Sequence, residues 1–124
     1  MCVHTLKTPI HSYCQYRALK EKYMLERNFK SKQKEDFEKM GWIFIQLVAD
    51  SGVPMGFPDT LCLSPTGYAC YVEWKKSKDA KKQPLQRYWN KKLNSMGHDA
   101  FFVYPENVEE WRRELISKPR TISH

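Results

Sequence analysis

From about Tyr16 to Met40 the chain is rich in Lys, Glu, Gln, Arg and Leu, and Leu19, Tyr23, Glu26, Phe29, Gln33, Phe37 and Met40 recur at spacings of three and four. That period predicts an amphipathic helix with this stripe on the core, ended by Gly41, which tolerates the left-handed backbone of a helix exit. The residues before it, with Pro9 and little periodicity, read as an irregular arm. Trp42 to Val48 is a run of β-branched and aromatic residues and reads as a largely buried strand. After a loop from Asp50 to Gly56, two further strands, Asp59 to Leu63 and Tyr68 to Lys75, flank a turn at Ser64-Pro65-Thr66-Gly67. A lysine-rich loop then leads to Gln83-Pro84, a helix opening in which the missing proline N–H costs nothing. Leu85, Tyr88, Trp89, Leu93 and Met96 give that helix an apolar face, closed by Gly97. Ala100 to Val103 reads as a buried strand, and Pro105-Glu106 opens a last helix carrying Val108, Trp111 and Leu115.

The order is α-β-β-β-α-β-α. It predicts an α/β fold in which a meander and a helical crossover build a mixed four-stranded sheet flanked by helices. The expected organisation is an arm over 1–18, one domain over 19–117 and a loose tail over 118–124.

Composition narrows the partners. With 124 residues, 41% of them hydrophobic, the chain has the material for one compact domain and is too short for two ordinary ones. A net charge of +7 and a pI near 9.3 point to an acidic partner, most often nucleic acid for a small basic domain, although many basic proteins share that charge. No run of about 18 apolar residues occurs and the first residues lack a secretory apolar region, so the expectation is an intracellular, cytoplasmic protein without a membrane partner. Four cysteines in such a protein are expected as reduced thiols, with Cys62 and Cys70 buried in strands. Cys2, His4, His11 and Cys14 are zinc-ligand types, but their irregular spacing without a paired knuckle argues against a zinc site.

The chemistry concentrates in Gly56-Phe57-Pro58-Asp59 and Glu73-Trp74-Lys75. In a hairpin centred on Thr66, residues equidistant from it face one another, so Asp59 lies opposite Glu73 and alternation puts Lys75 on the same face. Facing carboxylates repel unless a cation bridges them, and Mg²⁺ suits a few carboxylates and retained waters. The chemistry this allows is in-line attack of water on a phosphodiester, the metal lowering the water's pKa and Lys75 orienting the water or supporting the developing charge. Gln86, in the first turn of the second helix, is the uncharged candidate to meet phosphate or water, or else a helix-start residue without a catalytic role. Glu26 stands on an apolar stripe where a leucine is expected, which admits a buried metal ligand or a residue at the stripe's wet margin; Glu35 is the fallback. Lys76, Lys78, Lys81, Lys82 and Arg87 adjoin the site and read as phosphate contacts or as a solvated loop. Trp74 and Trp89 read as core packing ahead of base stacking.

Together, Gly56-Phe57-Pro58-Asp59, Glu73-Trp74-Lys75, Pro84-Leu85-Gln86 and Gly97 before an apolar strand resemble the VRR-NUC branch of the PD-(D/E)xK nucleases over roughly Glu26 to Tyr104. The resemblance implies a restriction-endonuclease-like core, dependence on Mg²⁺ with Mn²⁺ as substitute, and a DNA substrate. Small stand-alone members resemble phage-type junction resolvases, which implies cleavage of branched DNA by a homodimer. It makes Asp59 and Glu73 metal ligands, Lys75 the catalytic lysine, Gln86 the motif glutamine and Glu26 the acid of the first helix. The alternatives are a non-catalytic nucleic-acid-binding module and a nicking or restriction-type nuclease acting on duplex DNA.

Overall fold

A computed structural model describes the chain over residues 9–48 and 52–118, with the side chains of 9–13 and 18–26 outside that description. The elements run α1 (Pro9–Lys39), β1 (Ile43–Gln46), β2 (Thr60–Leu63), β3 (Ala69–Trp74), α2 (Pro84–Ser95), β4 (Asp99–Val103) and α3 (Val108–Ile116). The four strands lie in the order β1-β2-β3-β4. β1 and β2, and β2 and β3, pair antiparallel, while β3 and β4 pair parallel across the α2 crossover. The fold is the expected mixed sheet flanked by helices.

The residues up to Lys32 group as one compact unit and those from Gln33 onward as another. In the first, α1 starts at Pro9, so residues 9–18 are helical where an irregular arm was expected. Proline is at home in a first helical turn, and this stretch needs no apolar period to be helical. Residues 1–8 of the expected arm and 119–124 of the expected tail lie outside the described residues, as do Cys2, His4 and the side chains of His11, Leu19 and Tyr23. Cys14 is disulfide-bonded, against the expectation of reduced thiols throughout; Cys62 and Cys70 are free and buried.

The second unit is built on aromatic packing. Phe37, with no exposed surface, meets Trp42 edge-on at 5.1 Å, Phe44 at 5.7 Å and Trp111 at 5.3 Å between ring centroids. Trp74 extends the cluster from β3, 5.6 Å from Trp111. The end of α1 and α3 thus cover the sheet face formed by Phe44, Cys62, Cys70, Val72 and Trp74. Gln33, an amide on the helix stripe, is buried and satisfied: Arg112 of α3 donates to its Oε1 at 2.6 Å and pairs with Asp36 at 3.1 Å. Met40, expected on the core, is exposed because the chain turns away just after it.

Two other expectations change. β1 alternates instead of being buried throughout: Phe44 faces the core while Ile43 and Ile45 are 57% and 40% exposed, because an antiparallel edge strand has only one face on the core. On α2 only Leu93 is buried, while Leu85, Tyr88 and Met96 are exposed. Polar side chains dock this helix instead. Asn90 and Asn94 donate to the Ala100 carbonyl at 3.1 and 3.0 Å, and the Ala100 N–H donates back to Asn94 at 3.1 Å, satisfying the outer edge of β4. Among the described residues no helix is long and apolar enough to cross a membrane.

Phe37→Ala is expected to cost about 3–5 kcal/mol in urea unfolding, the range for emptying a packed aromatic site. The shared hydrogen bond with Cys70 and burial push the Cys62 thiol far up, so it stays neutral. Ellman's reagent at pH 8 is expected to leave Cys62 and Cys70 unmodified until denaturant is added, whereas a rapid native-state reaction would contradict their burial.

Candidate active site

The hairpin register decides what faces what. Cys62 pairs with Cys70, Leu61 with Tyr71 and Thr60 with Val72, which is the register of a turn centred on Thr66. One step further out it sets Asp59 against Glu73. Asp59 is held in line from its other side, where the Leu47 N–H donates to the Asp59 carbonyl at 2.8 Å. Because Cys70 and Val72 are buried toward α1 and α3, Glu73 projects to the opposite face. The Lys75 N–H donates to the Val103 carbonyl at 2.8 Å, extending the β3–β4 ladder one residue past the strand and keeping Lys75 in the alternation.

Gln86 joins the groups on that face. Its Oε1 accepts from the Lys75 ammonium at 2.7 Å and from the Gln83 backbone N–H at 3.0 Å. Its Nε2 donates to Glu73 Oε2 at 3.1 Å. Only one orientation of the amide meets two donors with oxygen and a carboxylate with nitrogen. The same contact to Gln83 closes the cap of α2, so the helix start and the site share one side chain. Lys75 Nζ also donates to the Lys81 carbonyl at 3.3 Å, which draws the lysine-rich loop back over the ammonium.

Behind the sheet, Trp74 points away from this cluster, as the middle residue of Glu73-Trp74-Lys75 must. Its indole N–H donates to Thr60 Oγ at 2.9 Å, and the Thr60 hydroxyl donates to Asp59 Oδ1 at 3.0 Å. A core tryptophan thereby helps aim the carboxylate. Thr60, 3% exposed, was not identified from the sequence; the available signal was a hydroxyl on the inward alternation of a strand, directly after the aspartate.

The loop before Asp59 is fastened to α2. Phe57 stands edge-on to Tyr71 and Trp89 at 5.5 and 5.2 Å, and the Trp89 indole donates to the Met55 carbonyl at 3.2 Å. Trp74 and Trp89 therefore pack, the reading favoured for both. Gly56 is the joint. Its φ is +83°, and a Cβ there would lie 2.4 Å from Leu85 Cβ and 2.8 Å from the Leu85 carbonyl carbon. Only a residue without a side chain lets the loop approach the helix start this closely.

Of the other expected site residues, Lys76, Lys78, Lys81 and Arg87 are exposed and Lys82 is half-buried. The Lys78 N–H donates to Glu106 at 3.1 Å. Glu35 is exposed. Glu26 belongs to α1 in the first unit, and its side chain lies outside the described residues. Among the described residues no group of three or more His, Cys, Asp or Glu side chains that could hold a metal ion is assembled.

Compared with known proteins, the chain matches no family model and no curated protein. Among solved structures, a VRR_NUC domain matches with a TM-score of 0.62 and 27% sequence identity, over 71% of this chain and 94% of that one. The chain resembles a VRR_NUC domain. Its α/β architecture, a mixed four-stranded sheet flanked by helices, is consistent with the restriction-endonuclease-like core that the VRR-NUC resemblance implied. A Holliday junction resolvase, Hjc, from Archaeoglobus fulgidus aligns more distantly, with a TM-score of 0.43 and 16% identity over 63% of this chain and 67% of that one.

Gly56→Ala is expected to destabilise the protein by more than Gly52→Ala. Both glycines have positive φ, but among the described residues nothing lies within 4 Å of a Cβ built at Gly52. Backbone strain of about 1–3 kcal/mol is common to the two. The excess at Gly56, read from paired urea titrations, measures the loop–helix contact, and equal losses would show that the contact bears no energy.

Proposed function

We propose that this chain is a Mg²⁺-dependent DNA endonuclease that prefers branched DNA. The observation that carries the reading is the Gln86 amide linking Glu73 to Lys75 on the sheet face where the register sets Asp59 against Glu73. The likeness to a VRR_NUC domain and the +7 net charge support it.

The donor set fits the metal. Carboxylates such as Asp59 and Glu73 suit Mg²⁺, which is held by a few of them and otherwise by water and substrate phosphate; Mn²⁺ would take the same ligands. Asp59 and Glu73 would hold the ion, with Glu26 proposed as the further acid from the first helix. Bound there, it supplies a Lewis acid and lowers the pKa of an attacking water.

The protein's own groups prepare the rest. Lys75 spends two of its three N–H donors on Gln86 and Lys81, and the third serves a water or a phosphate oxygen. Because these partners hold the ammonium before substrate arrives, little reorganisation is needed as charge develops on the phosphate. Gln86 keeps Glu73 and Lys75 at fixed separation and stops them from collapsing into a direct ion pair. Lys76, Lys78, Lys81, Lys82 and Arg87 surround this face and contact the DNA backbone, a role that brings steep salt dependence.

The test compares cleavage of a four-way junction and a linear duplex in Mg²⁺ by the wild type, Asp59→Ala and Lys75→Ala. Wild-type cutting of the junction is expected, with losses of about a hundredfold or more in each variant, the usual cost of removing a group that stabilises the transition state. Absence of cleavage of any DNA by the wild type would leave a binding module, and undiminished cleavage by the variants would remove the site. Preference for linear duplex would point to the restriction-type alternative.

A homodimer is part of the same proposal, since two opposed sites cut two strands symmetrically. Ile43 and Ile45, exposed on an edge strand, are the apolar surface it assigns to the second copy. Sedimentation is expected to give twice the chain mass, and a monomer both alone and on DNA would refute the dimer.

A further inference from the structure

Beside the first turns of α2 lies an open pocket of about 460 Å³ lined by Lys82, Arg87, Tyr88, Asn90, Lys91 and Phe102. It holds three cations, two aromatic rings and an amide, and no acid. None of the three cations is paired with a carboxylate among the described residues. Lys82 is held in place by other means: its Nζ lies 5.2 Å from the centroid of the Phe102 ring and 5.8 Å from that of Tyr104, and its carbonyl accepts from Arg87. Asn90 is committed to the Ala100 carbonyl and forms part of the wall.

The packing of α2 does not call for this arrangement. The helix docks through Leu93, Asn90 and Asn94, yet it keeps Tyr88 51% exposed, its edge against Trp89, on a flank that carries Arg87 and Lys91. Unpaired cations around aromatic surface recognise an anion bearing a flat ring. The volume lies in the range of pockets that enclose one small ligand. The position narrows the ligand further. Phe102 is the register partner of Glu73 across the β3–β4 pair, and Arg87 directly follows Gln86. The pocket and the acid–lysine–amide cluster are neighbours on one sheet face.

We propose that this pocket receives a single unpaired nucleotide of the bound DNA strand, its base against Tyr88 and Phe102 and its phosphate among Lys82, Arg87 and Lys91. In duplex DNA each base is stacked and paired, so the pocket fills only where a base is unpaired, as at a bulge, a gap or the foot of a branch. The inference rests on the nuclease reading for its substrate and supplies a source for the preference for branched DNA.

The test uses the full-length protein in EDTA, so that no DNA is cut, and two duplexes that differ in one feature: a 2-aminopurine left unpaired as a single-nucleotide bulge, or paired opposite thymine. Anisotropy reports binding and 2-aminopurine emission reports stacking. Emission from the bulged probe is expected to fall about twofold or more on binding while that from the paired probe holds, as for a base moved onto an aromatic side chain. Tyr88→Ala should weaken binding of the bulged probe by about tenfold and, at protein concentrations that saturate binding by anisotropy, abolish the emission change, and Tyr88→Phe should restore both. Arg87→Ala combined with Lys91→Ala should weaken binding of the bulged probe by about tenfold and flatten its salt dependence. Equimolar dAMP should leave the strand-borne probe in place, since the strand brings many backbone contacts with it.

Binding without an emission change, no binding of the bulged probe, an undiminished change in Tyr88→Ala, or displacement by equimolar dAMP would each overturn the proposal. The nuclease reading is decided separately by cleavage in Mg²⁺. A wild type that quenches the probe but does not cut keeps the pocket and loses the nuclease; one that cuts without quenching does the reverse.

Discussion

The pairing of Cys62 with Cys70 across the hairpin is the constraint on which the site depends. Both side chains are completely buried on the face covered by α1 and α3. A slip of one residue between β2 and β3 would turn one row of inward positions toward solvent and bring Leu61, Leu63, Tyr71 or Glu73 into an aromatic core. The cost of that exchange holds the register, and the register sets Asp59 against Glu73. The two acidic positions are kept in register by thiols and rings on the other side of the sheet. The neutrality of the Cys62 thiol fits this role, since a charge there would oppose the burial that maintains the pairing.

From that fixed pair the remaining parts are assembled by short polar contacts across three segments. β3 contributes Glu73 and Lys75, the cap of α2 contributes Gln86, and the loop ending at Asp59 is clipped to the same helix by Gly56 and Trp89. Gln86 serves local and tertiary structure at once, because the oxygen that caps the helix also accepts from the lysine. Capping the helix and placing the amide are thus one act, and the same helix start receives the loop at Gly56. The exposed lysines and Arg87 add charge around this frame without bracing it.

Much of this was legible in the chain. The order of elements, the turn centred on Thr66 and the sharing of one sheet face by Glu73 and Lys75 follow from alternation and turn chemistry, which are local. The misses share a cause. Leu85, Tyr88 and Met96 looked like a core face of α2, but the partner of that helix is the edge of β4, whose backbone is satisfied by Asn90 and Asn94; periodicity counts apolar residues and cannot register polar docking. β1 looked buried because its composition does not reveal that it sits at an edge. Thr60 passed unnoticed because its importance lies in two hydrogen bonds made at once, to Trp74 and to Asp59, and neither has a signature in spacing. Helical residues 9–18 carry no apolar period, and period was the signal used to find the helix.

The chain from Trp74 through Thr60 to Asp59 bears on how such a sequence can drift. Valine has the shape of threonine and suits an inward strand position, so selection for stability alone would favour it at residue 60. It would also leave the Trp74 indole and one oxygen of Asp59 without their shared hydroxyl. Position 60 is therefore held between two demands, and variation there among related chains would track the use made of Asp59 more closely than the packing of the core. A buried residue becomes a marker of whether the opposite face of the sheet is still under selection.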